Sequence, residues 1–306
     1  MKTIITTFLI TLCLTSAAQA DTMQVDIAYS KTQKLLEDKK LSLTGGPNGA
    51  RDDLAAYSQE ALIFYGEAVG NPDHKSEAQR AMMAKRGAVV TAQRSIVEYL
   101  EGFLVVGVTL VKDAMVQDDI ILSTVTGFIK GSEVVANEYN RDTDTAIAVI
   151  KLGLHGPKGY ASSFYEKMSS DPKFKEMVKT DKKPFKAEAV KLDEAYDGLI
   201  IDATSQNFRP ALINRIFAAK GDILYDPAKI SQKVLVEQGC GEYTNSIDKA
   251  KAALGTRGVK NPLVIKASGA MTAADLQVTD DDAVMIYSAN QKGGFMAAAK
   301  VAFVLK

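Results

Sequence analysis

The feature that most constrains this chain is a stripe of small residues at helical spacing. From Ser76 onward, Ala81, Ala84, Ala88, Ala92, Ile96, Tyr99 and Phe103 recur at gaps of 3, 4, 4, 4, 3 and 4. That is one continuous face at the period of an α-helix. A face made mostly of alanine has little bulk, so it excludes water only by lying close against a flat partner such as a β-sheet. Ser76, with Gln79 three residues on, has the form of a capping box and sets the expected helix start. Arg80, Arg86 and Arg94 lie along the same helix and read as a solvated flank rather than a basic groove.

The surrounding segments supply the sheet. Residues 61–69 form a β-rich run ended by Gly70-Asn71-Pro72, and Val105 to Val111 forms another. Asp118 to Gly127 reads as a short helix. Residues 131–139 and 144–152 then read as two strands around Asn140-Arg141-Asp142-Thr143, a hairpin signal. Lys31 to Lys40 reads as a charged helix before the turn cluster Gly45 to Gly49. This order suits an α+β unit with helices on one sheet face.

From Gly156 the texture changes. Between Lys158 and Lys191 nine lysines stand against five acids (Glu166, Asp171, Glu176, Asp181, Glu188), a local net of +4 with no arginine. Pro157, Pro172 and Pro184 punctuate the stretch, leaving room for two short helices. It reads as a solvated linker, with contact to anionic lipid heads or a partner as the alternative. Beyond it, 198–203 is a strand, and Leu212 to Ala218 and Asp222 to Tyr225 pair across a glycine turn. A helix from Ser246 to Leu254, a strand over 262–267, a helix from Asp280 to Asn290 and a strand from Ala297 to Leu305 complete a second unit.

The 306 residues are about twice an ordinary domain, in keeping with two units. The first twenty are expected to be an export signal: Lys2, an apolar run from Ile4 to Leu14, and Ala18-Gln19-Ala20 as a cleavage site before Asp21. Ile10-Thr11-Leu12 before Cys13 lacks the small residues of a lipid-attachment site, so a soluble periplasmic product is expected. The full reading is two small α+β domains, each a mixed sheet with helices packed on it, joined by a lysine-rich linker. Its boundaries are 1–20 for the signal, 21–155, 156–192 for the linker, and 193–306.

Charge and residue type narrow the chemistry. Lys+Arg and Asp+Glu are 37 each, so no basic surplus favours nucleic acid. After cleavage Cys240 is the one remaining cysteine, read as a buried strand residue rather than a reactive thiol. No phosphate loop, dinucleotide fingerprint, zinc-protease or nucleophile-elbow motif occurs. His74 and His155 are read as surface histidines. Asp280-Asp281-Asp282 lacks calcium-loop spacing and is read as a helix start, with Thr279 as N-cap and Asp282 completing the box, contributing on the order of 1 kcal/mol. Asp193, Glu194, Asp197 and Asp202 could form a paired-carboxylate acid/base site, but nothing in the sequence fixes their separation, and they are read as chain acidity before a strand. No catalytic, cofactor or metal residue is assigned, and the chain does not read as an enzyme.

Two stretches resemble a known family. One is Gln79-Arg80-Ala81-Met82-Met83-Ala84-Lys85-Arg86-Gly87-Ala88-Val89-Val90-Thr91-Ala92-Gln93-Arg94, leading through Val108-Thr109-Leu110 and Gly127-Phe128-Ile129-Lys130-Gly131 into the hairpin. It is similar to the LPP-twenty lipoprotein domain shared by the flagellar assembly proteins FlgP and, in its N-terminal part, FlgT, over about residues 60–153. The other is Asp197-Gly198-Leu199-Ile200-Ile201-Asp202-Ala203, Arg209-Pro210-Ala211-Leu212, Arg215-Ile216 and Asn261-Pro262-Leu263-Val264-Ile265-Lys266-Ala267. It resembles the C-terminal region of longer secreted members, except that Thr204-Ser205-Gln206-Asn207 replaces their usual sequence and the lysine-rich stretch looks inserted.

The resemblance implies a non-catalytic structural protein of the cell envelope with no site residues or cofactors to carry over. Its expected partners are envelope proteins: copies of itself or flagellar basal-body components, with peripheral association to the outer membrane. The rival expectations are a soluble periplasmic binding protein for a small ligand or lipid, using an interdomain cleft, and last a hydrolase built on the carboxylates between Asp193 and Asp202.

Overall fold

The computed structural model describes residues 25, 27–47, 49–111, 113, 115, 127, 129, 131–156 and 159–306. The export signal with Cys13, and all but the last residue of the short helix expected from Asp118 to Gly127, lie outside these. The chain enters through helix α1 (Ser30–Asp38) and the short α2 (Asp53–Ser58). Strand β1 (Ala61–Val69), the long helix α3 (Glu77–Glu101) and the small hairpin β2 (Leu104–Val106) and β3 (Thr109–Leu110) follow. Strands β4 (Glu133–Asn140) and β5 (Thr145–Gly153) close the first half. They form an antiparallel sheet of order β1-β5-β4, with Phe64 opposite Ile150 and Gly66 opposite Ala148.

The alanine stripe behaves as its composition demands. Ala84, Ala88, Ala92, Ile96 and Tyr99 are all buried. Ala84 and Ala88 pack on Ala146 and Ala148 of β5. Gly66 sits where a Cβ would come within 2.2 Å of the Ala92 backbone nitrogen, so the helix rests directly on strand β1. The start of α3 differs from expectation, because the Ser76 side chain makes no capping bond. Arg80 anchors that end instead, donating to the His74 carbonyl at 2.9 Å and pairing with Asp144 at 3.0 Å.

The three strands pair antiparallel, with an isolated parallel bridge from Gly45 to Phe64 at the outer edge of β1. One expectation for this half is corrected. Helices cover both faces, not one. Leu62, Phe64, Ile150 and Leu152 face the α3 side, while Ala61, Ile63, Ile147 and Val149 pack with Tyr29 and Leu36. Strands buried on both faces must be covered twice, and α1 supplies the second cover.

Helices α4 (Tyr160–Ser170) and α5 (Pro172–Met177) are the two short helices anticipated in the lysine-rich stretch. Their apolar side chains are not solvated, however. Tyr160, Phe164, Tyr165, Met168 and Phe174 are buried in one core with Ile96 and Phe103 of the first half and Ile216 and Phe303 of the second. Only the outward lysines match the linker reading: Lys173, Lys175, Lys179, Lys182, Lys183, Lys186 and Lys191 are all exposed.

The second half runs through β6 (Gly198–Asp202), β7 (Arg215–Ala218), β8 (Ile223–Tyr225), α6 (Gln232–Gln238), β9 (Glu242–Thr244) and α7 (Ile247–Thr256). It finishes with β10 (Pro262–Lys266), β11 (Gly269–Ala270), β12 (Asp275–Val278), α8 (Asp280–Gly293) and β13 (Val301–Val304). One sheet, of order β10-β6-β13-β9, is all parallel; the other, β11-β12-β7-β8, is mixed. Ala250 and Leu254 of α7 pack on Ile200, Ala302 and Val304, while α8 lies against β7, β8 and β10. The chain is thus α+β throughout.

The two halves are stitched together. Leu212 N–H donates to the Leu104 carbonyl at 3.1 Å, and Ile213 N–H to Val105 at 2.9 Å. Tyr57 packs on Tyr243 with ring centroids 4.6 Å apart, both side chains buried. Above them the Asp53 carboxylate accepts from Tyr99 Oη and pairs with Arg51 and Arg209, each at 2.8 Å.

Candidate functional site

The residues that sequence reasoning weighed for chemistry are dispersed and occupied. Asp197 and Asp202 bracket β6, one before it and one at its last position, so they do not converge. Asp197 accepts from the backbone N–H groups of Lys260 and Asn261 at 2.9 and 2.8 Å. Desolvation opposes its charge, but those two bonds prevail and hold its pKa below the ordinary value. Asp202 accepts from the hydroxyl and N–H of Thr204 at 2.7 and 3.0 Å, which also lowers its pKa. Two carboxylates kept ionised in this way provide no proton donor at neutral pH. Glu194 holds the Asn261 amide at 3.0 Å, and Asp193 is exposed.

At the start of α8, Thr279 Oγ1 accepts from the Asp282 N–H at 3.1 Å, as an N-cap should. The Asp282 carboxylate turns to the same hydroxyl at 2.6 Å rather than to the Thr279 backbone, so the box is incomplete. Asp280 faces Lys220 at 3.4 Å and Asp281 is exposed. Among the described residues no group of three or more His, Cys, Asp or Glu side chains is arranged to hold a metal ion.

Cys240 is buried just before β9 rather than within a strand, with Sγ 3.2 Å from the Tyr243 hydroxyl. Burial pushes its thiol pKa up, the opposite of an activated nucleophile. His74 is half-buried at the mouth of α3. His155 departs from the surface reading. Its ring lies parallel to Tyr165 and directly beside Gly239, and among the described residues its buried Nδ1 has no hydrogen-bond partner. Desolvation, with the Arg257 guanidinium nearby, lowers its pKa to about 4, so the ring is neutral. Gly239 lies far from it in sequence, so no local pattern could have revealed this contact.

What does stand out is the outer side of α3. Met82, Met83 and Val90 are 56%, 47% and 46% exposed, and Val134 of β4 is 48% exposed. Ala81, Met82, Lys85, Val89, Val90 and Asn137 line an open depression of about 550 Å³ between this helix and β4. Arg86 and Arg94 are exposed, as the flank reading expected, whereas Arg80 is tied to Asp144. β4 is the edge strand of its sheet. Apolar side chains of this size grouped on a helix face beside a strand that is the sheet's edge among the described residues form a surface suited to another polypeptide.

Among known families, one matches residues 198–306, described as Treponema pallidum Tp0624, second domain. The match covers 109 of the 306 residues, from β6 through β13, and leaves the α3 surface outside it. No curated protein matches the chain. Among the described residues no helix is long and apolar enough to cross a membrane.

Proposed function

We propose that this protein is a non-catalytic component of the cell envelope, exported to the periplasm by its first twenty residues and working through protein–protein contacts made by the α3–β4 face. The observation that carries the reading is the exposure of Met82 and Val90 at one depression, with Met83 and Val134 also exposed on α3 and β4, on a helix whose inner side is packed backbone to backbone. Methionine suits such a surface because its unbranched thioether adapts to a partner at low cost. The resemblance of residues 60–153 to the LPP-twenty domain supports the same reading, with a ring or envelope scaffold as the assembly. Asp197, Asp202 and Glu194 hold neighbouring groups of the fold and Cys240 is buried, which is consistent with it. The test is the solution mass of the tagged full chain, purified from its host's envelope by gentle solubilisation. Self-association or a stoichiometric complex is expected; a monodisperse monomer that carries nothing with it overturns the proposal.

A further inference from the structure

A second cavity, of about 300 Å³, opens on the other half of the molecule, and the lysine-rich stretch creates it. Phe185 N–H donates to the Ile223 carbonyl and Ile223 N–H to the Lys183 carbonyl, both at 2.8 Å. Residues 183–185 thus run parallel to β8 as one more short strand of the mixed sheet. This pairing sets Phe185 edge-on to Tyr287 of α8, with ring centroids 5.9 Å apart at 70°. Phe185, Ile223, Ile230, Tyr287 and Met296 form largely apolar walls, and Lys229, Asn290 and Gln291 add polar groups.

The charges around the cavity are unevenly committed. Asp226 is the one carboxylate in the lining, and Arg215 already neutralises it at 3.0 Å, both side chains being 6% exposed. Asp226 also accepts from the Ala228 N–H at 3.3 Å. Lys229 stands 3.8 Å from Asp226, at the limit of an ion pair, and is 58% exposed. Its ammonium is therefore surplus to the buried pair and free to meet an incoming anion. Lys183 and Lys186 flank Phe185 in the chain and are exposed, which adds to the positive potential on that side. The Asn290 side-chain oxygen is taken by the Met296 N–H at 2.9 Å, which leaves its NH2 group as a donor.

We propose that this cavity binds a single-chain amphipathic anion, with the apolar chain lying against the Phe185–Tyr287 pair and the carboxylate or phosphate head at Lys229. Its volume lies at the small end of ligand pockets, which suits one medium-length chain rather than a two-chain lipid. The inference is independent of the contact function of the α3 face, because the two surfaces share no residue.

The test is calorimetric titration of the full chain with dodecanoate and dodecyl phosphate, each below its micelle concentration, with acetate and dodecyltrimethylammonium as controls. At least one of the two anionic chains is expected to bind saturably at one site and raise the melting temperature, while acetate and the cationic chain do neither. A preference between the two heads separates a carboxylate from a phosphate source. Lys229→Gln is expected to weaken binding about fivefold, the range of a solvent-exposed charge contact. Ala297→Trp, at an exposed lining position, is expected to block binding without lowering the melting temperature of the free protein. Absence of saturable binding by both anionic chains, equal binding of the cationic chain, or undiminished affinity in both variants would overturn the proposal.

Discussion

Gly66→Ala adds a single methyl group at the place where α3 meets its sheet. That methyl carbon would lie 2.2 Å from Ala92 N, 2.4 Å from Ala88 O and 2.9 Å from Ala92 Cα. All three are backbone atoms of a helix, so no side chain can rotate out of the way. Restoring ordinary contact requires α3 to lift by about 1 Å, and a gap of that size forfeits a quarter to a half of each dispersion contact it opens. The loss falls on Ala84, Ala88 and Ala92, which have no longer side chain with which to refill the space. Overpacking of this kind costs about 1–3 kcal/mol, and here the upper part of that range applies because the clash is with backbone. The smaller entropy of the unfolded chain returns roughly 0.5–1 kcal/mol, leaving a net loss of about 2 kcal/mol. Gly255→Ala in α7 is the matched control, since a Cβ there meets nothing within 4 Å. It should stabilise the protein by roughly 0.5–1 kcal/mol through helix propensity and unfolded-state entropy. Urea unfolding followed by far-UV circular dichroism measures both. If Gly66→Ala unfolds at the same urea midpoint as the unsubstituted chain, the backbone-on-backbone contact is not what holds α3 in place.

Two further outcomes follow from buried groups. His155 has a folded-state pKa near 4, below the ordinary 6.5, so its contribution to stability is full above pH 6.5 and is lost as pH falls towards 4. A difference of that size corresponds to about 3 kcal/mol, so the stability gap between the unsubstituted protein and His155→Gln should change by that order between pH 7 and pH 4, whereas parallel pH profiles contradict it. Cys240, buried with a raised pKa, should react with a thiol reagent only at the rate of unfolding, so prompt labelling of the native protein contradicts its placement.

Much of the fold was legible from local pattern, and the exceptions share a cause. The bounds of β1 follow from its composition, and α3, the β7–β8 hairpin, α7 and β10 follow from periodicity and turn residues. The short elements α6, β9 and β12 carry no such signal in their three to seven residues, and tertiary pairing defines them. The lysine-rich stretch misled because its charges dominate the composition. Tyr160, Phe164, Tyr165 and Phe174, spaced among those lysines, face inward on α4 and α5 and join the two halves. The candidate surface was half visible. Met82 and Val90 were in plain sight on α3, but only the packing of the opposite side against Gly66 shows that these residues are left outside. The cavity beside Phe185 was invisible for the same kind of reason, since it exists only once residues 183–185 add to β8.

The most direct test of the account places Met82→Glu and Val90→Glu together on the exposed side of α3, where neither change disturbs the buried stripe. Tagged unsubstituted and doubly substituted chains are recovered side by side from gently solubilised envelopes, and the co-purifying species are quantified by mass spectrometry. The account predicts that the unsubstituted chain brings down further copies of itself or one envelope component at near-stoichiometric level, and that the double variant, with unchanged melting temperature, loses it. Equal recovery by both chains, or no stoichiometric species with either, would contradict the assignment of the α3–β4 face as the working surface.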